Sequence, residues 1–201
     1  MFHLQARIFS YLCISSLVGL TIGAVVSLVA NAFVNGIKYF EALRSSLLLR
    51  PSFFDLSEYI IPFAWLALGF IFVFFIKKIV GCTSWQGPAD AIYCAHRPDK
   101  DMDIRQGFGT VLAAFTSLSA GASLGQYGPI VHMGALIGGF FKKYNLSSIH
   151  LSNDIFLGCG VAAAISAGFQ APIAGVIFAH EAILRHFSAK AIAPIAISSI
   201  C

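Results

Sequence analysis

Gly125-Gln126-Tyr127-Gly128-Pro129 interrupts a stretch of 35 residues, Gly107–Phe141, that contains no Lys, Arg, Asp or Glu. About 20 apolar residues are enough for one membrane crossing, so this stretch is longer than one crossing needs and the interruption falls inside it. Irregular backbone at membrane depth is tolerated only where it is buried in protein or lines a cavity. The sequence therefore predicts a broken helix whose N-terminal amides face a polar group, most simply an ion.

Composition predicts an integral membrane protein, and the helix-compatible apolar runs described below predict an all-α, multi-pass one, expected in the cell or inner membrane. Hydrophobic residues make up 58% of the chain and charged residues 11%, whereas soluble domains carry roughly 25% charged residues. So few polar side chains could not cover a soluble surface, which makes the lipid bilayer the expected surroundings. The basic residues are scattered and form no patch with interleaved aromatic residues, so nucleic acid is not an expected partner.

The side chains that could bind metal do not have the spacing of a metal site. The five Cys residues include no Cys-x-x-Cys pair, and Cys94 with His96 gives only two candidate ligands where a structural zinc site needs four. Asp99, Asp101 and Asp103 resemble the start of a calcium loop. However, such a loop needs Gly at its sixth position, where this chain has Ile104. The sequence predicts no metal, no cofactor and no catalytic residue.

Several helices follow from the apolar runs. Residues 8–37 lack charge and predict a tilted membrane helix that could continue to about Leu49. Tyr59–Ile76 predicts a second crossing with Pro62 in its first turn, where proline is tolerated. A short helix is expected over residues 89–95, with Pro88 at its start. The apolar segment 189–200 stops at Cys201 before it completes a crossing, so residues 1–201 are predicted to form a single transmembrane region truncated at its C-terminus.

Glycine pairs spaced four residues apart predict close packing between helices. The three pairs are Gly19 with Gly23, Gly121 with Gly125, and Gly134 with Gly138.

Three interruptions that contain Gly and Pro recur along the chain, at residues 81–88, 125–129 and 168–172. Each precedes a segment that can restart as a helix with proline near its first turn. A helix N-terminus carries about half a positive elementary charge and unpaired N–H groups, and so favours an anion without any Lys or Arg. The alternative interpretation is that the interruptions are packing kinks that bind nothing.

Two blocks of the sequence resemble the CLC family of chloride channels and proton/chloride exchangers. The first, Gly121–Gly138, is similar to the family's Gly-(Arg/Lys)-Glu-Gly-Pro signature and the helix after it. The second, Gly158–Glu181, is similar to the family's Gly-x-x-x-Ala-Phe-Asn-Ala-Pro-x-Ala-Gly-x-x-Phe-x-x-Glu block. The resemblance covers essentially the whole chain, although residues 1–80 match in pattern only. It implies the first of the two inverted repeats of the CLC fold, between which the anion is bound.

The resemblance implies an anion site at Gly125-Gln126-Tyr127-Gly128-Pro129 and the start of the following helix. The family's other site in this half is a Gly-Ser-Gly-Ile-Pro loop whose Ser contacts the anion. Aligned on Pro88, the Ser position holds Trp85, and Ser84 lies one residue earlier. Ser84 is the residue whose hydroxyl is predicted to contact the anion, and whether Ser84 or Trp85 faces the anion stays open.

Two departures from the family concern protons. The family's gating glutamate falls on Tyr127, whose hydroxyl, with an ordinary pKa of about 10, stays neutral near pH 7. The family's internal proton-transfer glutamate falls on Ala182. Glu181 precedes it and is predicted to support the site from behind the residues that touch the anion, paired with Arg185 four residues later. The resemblance therefore implies a chloride-like anion as permeant, passing by a channel or by uncoupled transport.

Other functions stay open beside anion conduction. The second repeat is missing, so the chain could be a non-conducting fragment or a membrane scaffold remnant of such a channel. The full-length family pattern implies a homodimer, and two half-length copies could conceivably make one pore if they inserted in opposite orientations. An intramembrane enzyme is disfavoured because no Gly-x-Ser-x-Gly or His-Glu-x-x-His motif occurs.

Overall fold

The computed structural model of the protein describes residues 2–48, 57–97, 99–143, 151–186 and 188–201. Helices account for most of these residues, and the described part contains no strand, as expected for the all-α class. The helices are α1 (Phe2–Leu48), α2 (Ser57–Val80), α3 (Pro88–Ala95), α4 (Ile104–Ser119), α5 (Tyr127–Lys143), α6 (Asn153–Phe169), α7 (Pro172–Phe178) and α8 (Ala189–Ile200).

Helices α1 and α2 are long and apolar enough to cross a membrane. Helix α1 runs to Leu48, which confirms the continuation predicted beyond residue 37. Helix α2 begins at Ser57, two residues before the predicted start. Pro62 consequently lies in the second turn rather than the first, and its missing N–H interrupts the hydrogen bonds of the helix there.

The core is centred on α6, where every residue from Ile155 to Ser166 is buried. Helix α5 packs along it through glycines. A side chain at Gly134 would collide with the backbone of Gly160, and one at Gly138 would collide with the carbonyl of Phe156. The close packing predicted for Gly134 and Gly138 is confirmed, because only glycine lets the two backbones approach so closely.

Helix α8 covers another side of α6 and also packs on α1. Gly19 contacts the backbone of Pro194, and Gly23 contacts that of Ser198, which confirms this predicted pair. The hydroxyl of Ser198 donates to the carbonyl of Cys159 at 2.7 Å and ties α8 to α6.

The prediction for Gly121 and Gly125 is wrong. Helix α4 ends at Ser119, and residues 120–126 form an irregular connection before α5. Gly121 has a φ of +96°, a left-handed conformation that favours glycine. A Cβ at Gly125 would meet no atom of the described residues within 4 Å. These two glycines therefore serve the connection rather than a helix interface.

The acidic connection before α4 acts as a helix cap. The carboxylate of Asp103 accepts from the backbone N–H groups of Arg105 and Gln106, at 3.0 and 3.1 Å. Asp101 instead pairs with Lys142 at the end of α5, at 2.6 Å. Both roles are structural, and no group of three possible metal ligands occurs among the described residues.

Candidate anion site

A cavity of about 600 Å³ lies where three helices begin. Its lining includes the first residues of α3 and α5 and the start of α7, together with apolar side chains from the middle of the fold. The lining residues are Pro88, Tyr127, Gly128, Val131, Ile165, Phe169, Ala171, Ala174 and Phe178. Each of the three sequence interruptions thus contributes a helix start to one cavity.

The start of α5 is the part of the cavity best suited to an anion. The N–H of Ile130 donates to the carbonyl of Gln126 at 3.3 Å. Pro129 has no N–H to offer. The remaining amides of the first turn, those of Tyr127 and Gly128, have no acceptor among the described residues, and both residues line the cavity. Two N–H groups at the positive end of a 17-residue helix can therefore donate to a bound anion.

The start of α3 is already capped from within the helix. The N–H of Gly87 donates to the carboxylate of Asp90 at 2.7 Å, and Pro88 has no N–H. This arrangement places a negative charge at the α3 terminus, where the dipole stabilises it. Helix α3 therefore contributes a wall of the cavity and offers an anion less than α5 does.

Tyr127 is held in place by an aromatic residue of the next interruption. Its ring stacks on Phe169, with the ring centroids 3.9 Å apart and the planes at 14°. Phe169 is the last residue of α6, and Gln170 after it is left-handed with a φ of 54°. The stack fixes the Tyr127 ring at the cavity. Sequence reasoning missed Phe169, although an aromatic residue directly before an interruption could have suggested it.

The other predicted site residues do not line the cavity. Gly125 and Gln126 end the connection before α5, and Pro129 lies in its first turn, but none of the three lines the cavity. Ser84 is exposed in the loop before α3, and neither it nor Trp85 lines the cavity. The anion-binding roles of all these residues remain predictions.

Glu181 does not form the predicted ion pair. Helix α7 passes directly into a π-helical turn, Ala179–Leu184, and Arg185 follows with a left-handed φ of 57°. The left-handed backbone of Arg185 ends the turn, so its side chain leaves the path that would bring it back over Glu181. No ion pair joins Glu181 to Arg185 in the part of the chain that the structure describes, and Glu181 is exposed away from the cavity lining.

His132 is the buried titratable side chain of α5. It is 1% exposed, and its ring lies against the backbone of Gly87, just before α3. It follows Val131, which lines the cavity, but does not line the cavity itself.

A family model described as voltage-gated chloride channel matches residues 64–201, more than half of the chain. The chain belongs to the voltage-gated chloride channel family. This finding confirms the resemblance drawn from the two blocks. The match begins inside α2 and takes in all three helix starts around the cavity.

Curated relatives agree with the family match. The chain is 27% identical over 105 residues to a putative chloride channel protein, ClcB-like, of Ralstonia nicotianae. The aligned segment covers 51% of this chain and 24% of the relative. It is 33% identical over 85 residues to chloride channel protein CLC-d and 37% identical over 86 residues to CLC-c, both of Arabidopsis thaliana. These two matches cover 36% and 37% of the chain and 11% of each relative. The aligned segments span at most about a quarter of these relatives.

Proposed function

We propose that this chain forms the first half of an anion pathway through a membrane, with chloride as the class of permeant ion. One observation supports the proposal above the others: the amides of Tyr127 and Gly128 have no acceptor among the described residues, and both residues line a cavity in which three helix starts meet. Backbone dipoles bind an anion weakly enough to release it again, which conduction requires.

Transport by this pathway is proposed to be uncoupled from protons. The cavity lining contains no carboxylate, and Tyr127 stands where the family pattern places an ionisable gate. A phenol donates a hydrogen bond to an anion but does not compete with it as a negative charge near pH 7. Ala182, at the position of the internal proton-transfer residue, offers no proton.

The surrounding assembly belongs to the same proposal. The protein is proposed to be a multi-pass integral membrane protein, which the two membrane-length helices α1 and α2 support. Because the chain matches only a fraction of each relative, the second set of anion ligands is expected from sequence outside these residues. The homodimer implied by the resemblance remains a prediction. A non-conducting remnant is the alternative that the following experiment decides.

Anion flux measured together with proton movement tests this function. We expect the protein, as its gene encodes it, to release chloride from liposomes when a chloride gradient is imposed. An imposed pH gradient should drive no chloride uptake, because no carboxylate in the lining can carry the proton. Chloride efflux is followed with an ion-selective electrode and protons with an external pH electrode.

Two results would count against the proposal in different ways. Proton movement in fixed proportion to chloride would contradict uncoupled transport. An absence of chloride flux from folded, inserted protein would favour the non-conducting remnant. Empty liposomes and liposomes that contain Tyr127→Phe serve as controls, and the second should still conduct because both amides remain.

A further inference from the structure

An apolar groove of about 310 Å³ lies between α2 and α4, away from the anion cavity. Phe40 of α1, Trp65 and Phe72 of α2, and Phe115 of α4 are among the side chains that line it. From Trp65 to Phe72 the groove follows α2 for about 10 Å, since an α-helix rises 1.5 Å per residue. This length is about a third of the hydrocarbon thickness of a bilayer. Only 6% of the most apolar stretch of α2 is buried, so the groove opens on a face that the described residues leave uncovered.

A buried hydroxyl group in this groove lacks a partner. Ser119 is the last residue of α4, lines the groove and is 8% exposed. Its carbonyl accepts from the indole N–H of Trp65 at 3.3 Å, but its hydroxyl has no hydrogen-bond partner among the described residues. An unsatisfied buried hydroxyl is costly. A ligand that carries oxygen atoms at this end of the groove would remove that cost.

Arg44 places a positive charge at the same end of the groove. Its guanidinium group occupies the space where a Cβ on Gly121 would project. Gly121 follows Ala120, and Arg44 follows Phe40 by one helical turn. Both Ala120 and Phe40 line the groove.

The N–H groups of Arg44 are available to a ligand. The side chain is half-buried, yet among the described residues no carboxylate lies within 4 Å of it and no acceptor takes a hydrogen bond from it. Arginine carries five N–H donors in a planar fork that matches a phosphate group. Its position near the C-terminus of α4 is also favourable for a cation. The dipole attracts the charge without pairing its donors: the carbonyls of Thr116 and Leu118 accept from Ala120 and Gly121, and among the described residues neither accepts from Arg44.

We propose that this groove binds one anionic phospholipid. The acyl chain lies against α2 and α4, an ester oxygen accepts from Ser119, and the phosphate is held by Arg44. A phospholipid matches the three features that follow one another along the groove: its acyl chain fits the apolar channel, its ester oxygen the hydroxyl group, and its phosphate the guanidinium. The site rests on the membrane setting of the proposed function and does not require anion conduction.

Fluorescence of Trp65 reports directly on the groove. Residues 1–201 contain two Trp residues, so Trp85→Phe, with any Trp encoded outside these residues also replaced by Phe, leaves Trp65 as the only indole. This protein is reconstituted into phosphatidylcholine vesicles that contain a minor fraction of phosphatidylglycerol or of phosphatidylcholine with brominated acyl chains. Bromine quenches an indole that it contacts. We expect the brominated anionic lipid to occupy the groove several times more strongly, up to about tenfold, because a hydrogen-bonded charge pair contributes on that scale.

Matched variants separate the site from general surface charge. Arg44→Gln should abolish the preference for the anionic lipid, and Arg44→Lys should retain part of it. Lys38→Gln removes the same charge from an exposed position of α1 and should leave the preference unchanged. Equal quenching by the two brominated lipids in the parent protein would overturn the proposal even if Arg44→Gln failed to fold.

Two further outcomes would also overturn the proposal. If the preference for the anionic lipid survives in Arg44→Gln, it arises from general electrostatic attraction to the protein and not from this site. If neither brominated lipid quenches Trp65, another segment or a second copy covers the groove. Chloride flux measured on the same vesicles keeps the two proposals apart, since a lipid preference without flux supports the lipid site alone.

Discussion

Gly138→Ala is expected to destabilise the protein by about 1–3 kcal/mol or more, the usual cost of overpacking a filled interface. The added methyl group would collide with the carbonyl of Phe156, where α5 lies directly on the backbone of α6. Neither atom can move aside without shifting a helix. Relief of the collision would separate the two helices that make the most extensive contact in the fold. The change is measured by thermal or denaturant unfolding of the purified protein.

The adjacent Gly139→Ala provides the matched control. Among the described residues a Cβ there meets the side chain of Leu157 alone, at 3.6 Å, which is an ordinary contact. Ala is also a better helix former than Gly, so this variant should be as stable as the parent or more stable by up to about 1 kcal/mol. Equal losses in the two variants would contradict the proposed packing of α5 on α6.

Tyr127→Glu is expected to reduce chloride flux about tenfold at neutral pH and to make the flux depend on pH. The new carboxylate would lie at the start of α5, where the helix dipole stabilises a negative charge by up to about 2 kcal/mol. It would compete with chloride for the backbone amides of residues 127 and 128, and about 1.4 kcal/mol, which lies within that range, corresponds to tenfold in occupancy. Flux should recover as the pH falls through the range in which glutamate titrates, near 4.3 for an unperturbed side chain.

Tyr127→Phe is the control for this substitution. It keeps the aromatic ring that stacks on Phe169 and removes only the hydroxyl group. Its flux should be independent of pH over the same range. A Tyr127→Glu protein that conducts like the parent at neutral pH would show that the start of α5 does not hold the permeant ion.

The positions of the helices followed from local chemistry in the sequence. Long apolar runs specified α1 and α2, and proline marked the first turns of α3, α5 and α7. The prediction that Gly121 and Gly125 pack a helix interface was wrong because their spacing fits both a helix interface and an irregular connection. Only the end of α4 at Ser119 decides between them, and sequence spacing does not encode that end.

The predicted site was recovered in part, for a similar reason. The unpaired backbone amides of Tyr127 and Gly128 at a helix start could be predicted from the interruption and from proline at position 129. Their meeting with Pro88 and Ala171 depends on long-range packing around α6, which single-sequence patterns do not report. The stack of Tyr127 on Phe169 and the left-handed end at Arg185, which keeps that side chain from Glu181, are likewise not visible in sequence spacing.

Anomalous scattering from crystals of the protein grown in bromide tests the central claim most directly, because bromide replaces chloride and its position is observed. The account predicts a bromide peak in the cavity lined by Pro88, Tyr127 and Ala171, within hydrogen-bond distance of the amides of Tyr127 and Gly128. A cavity without bromide, with peaks only beside Lys or Arg side chains at the surface, would contradict it.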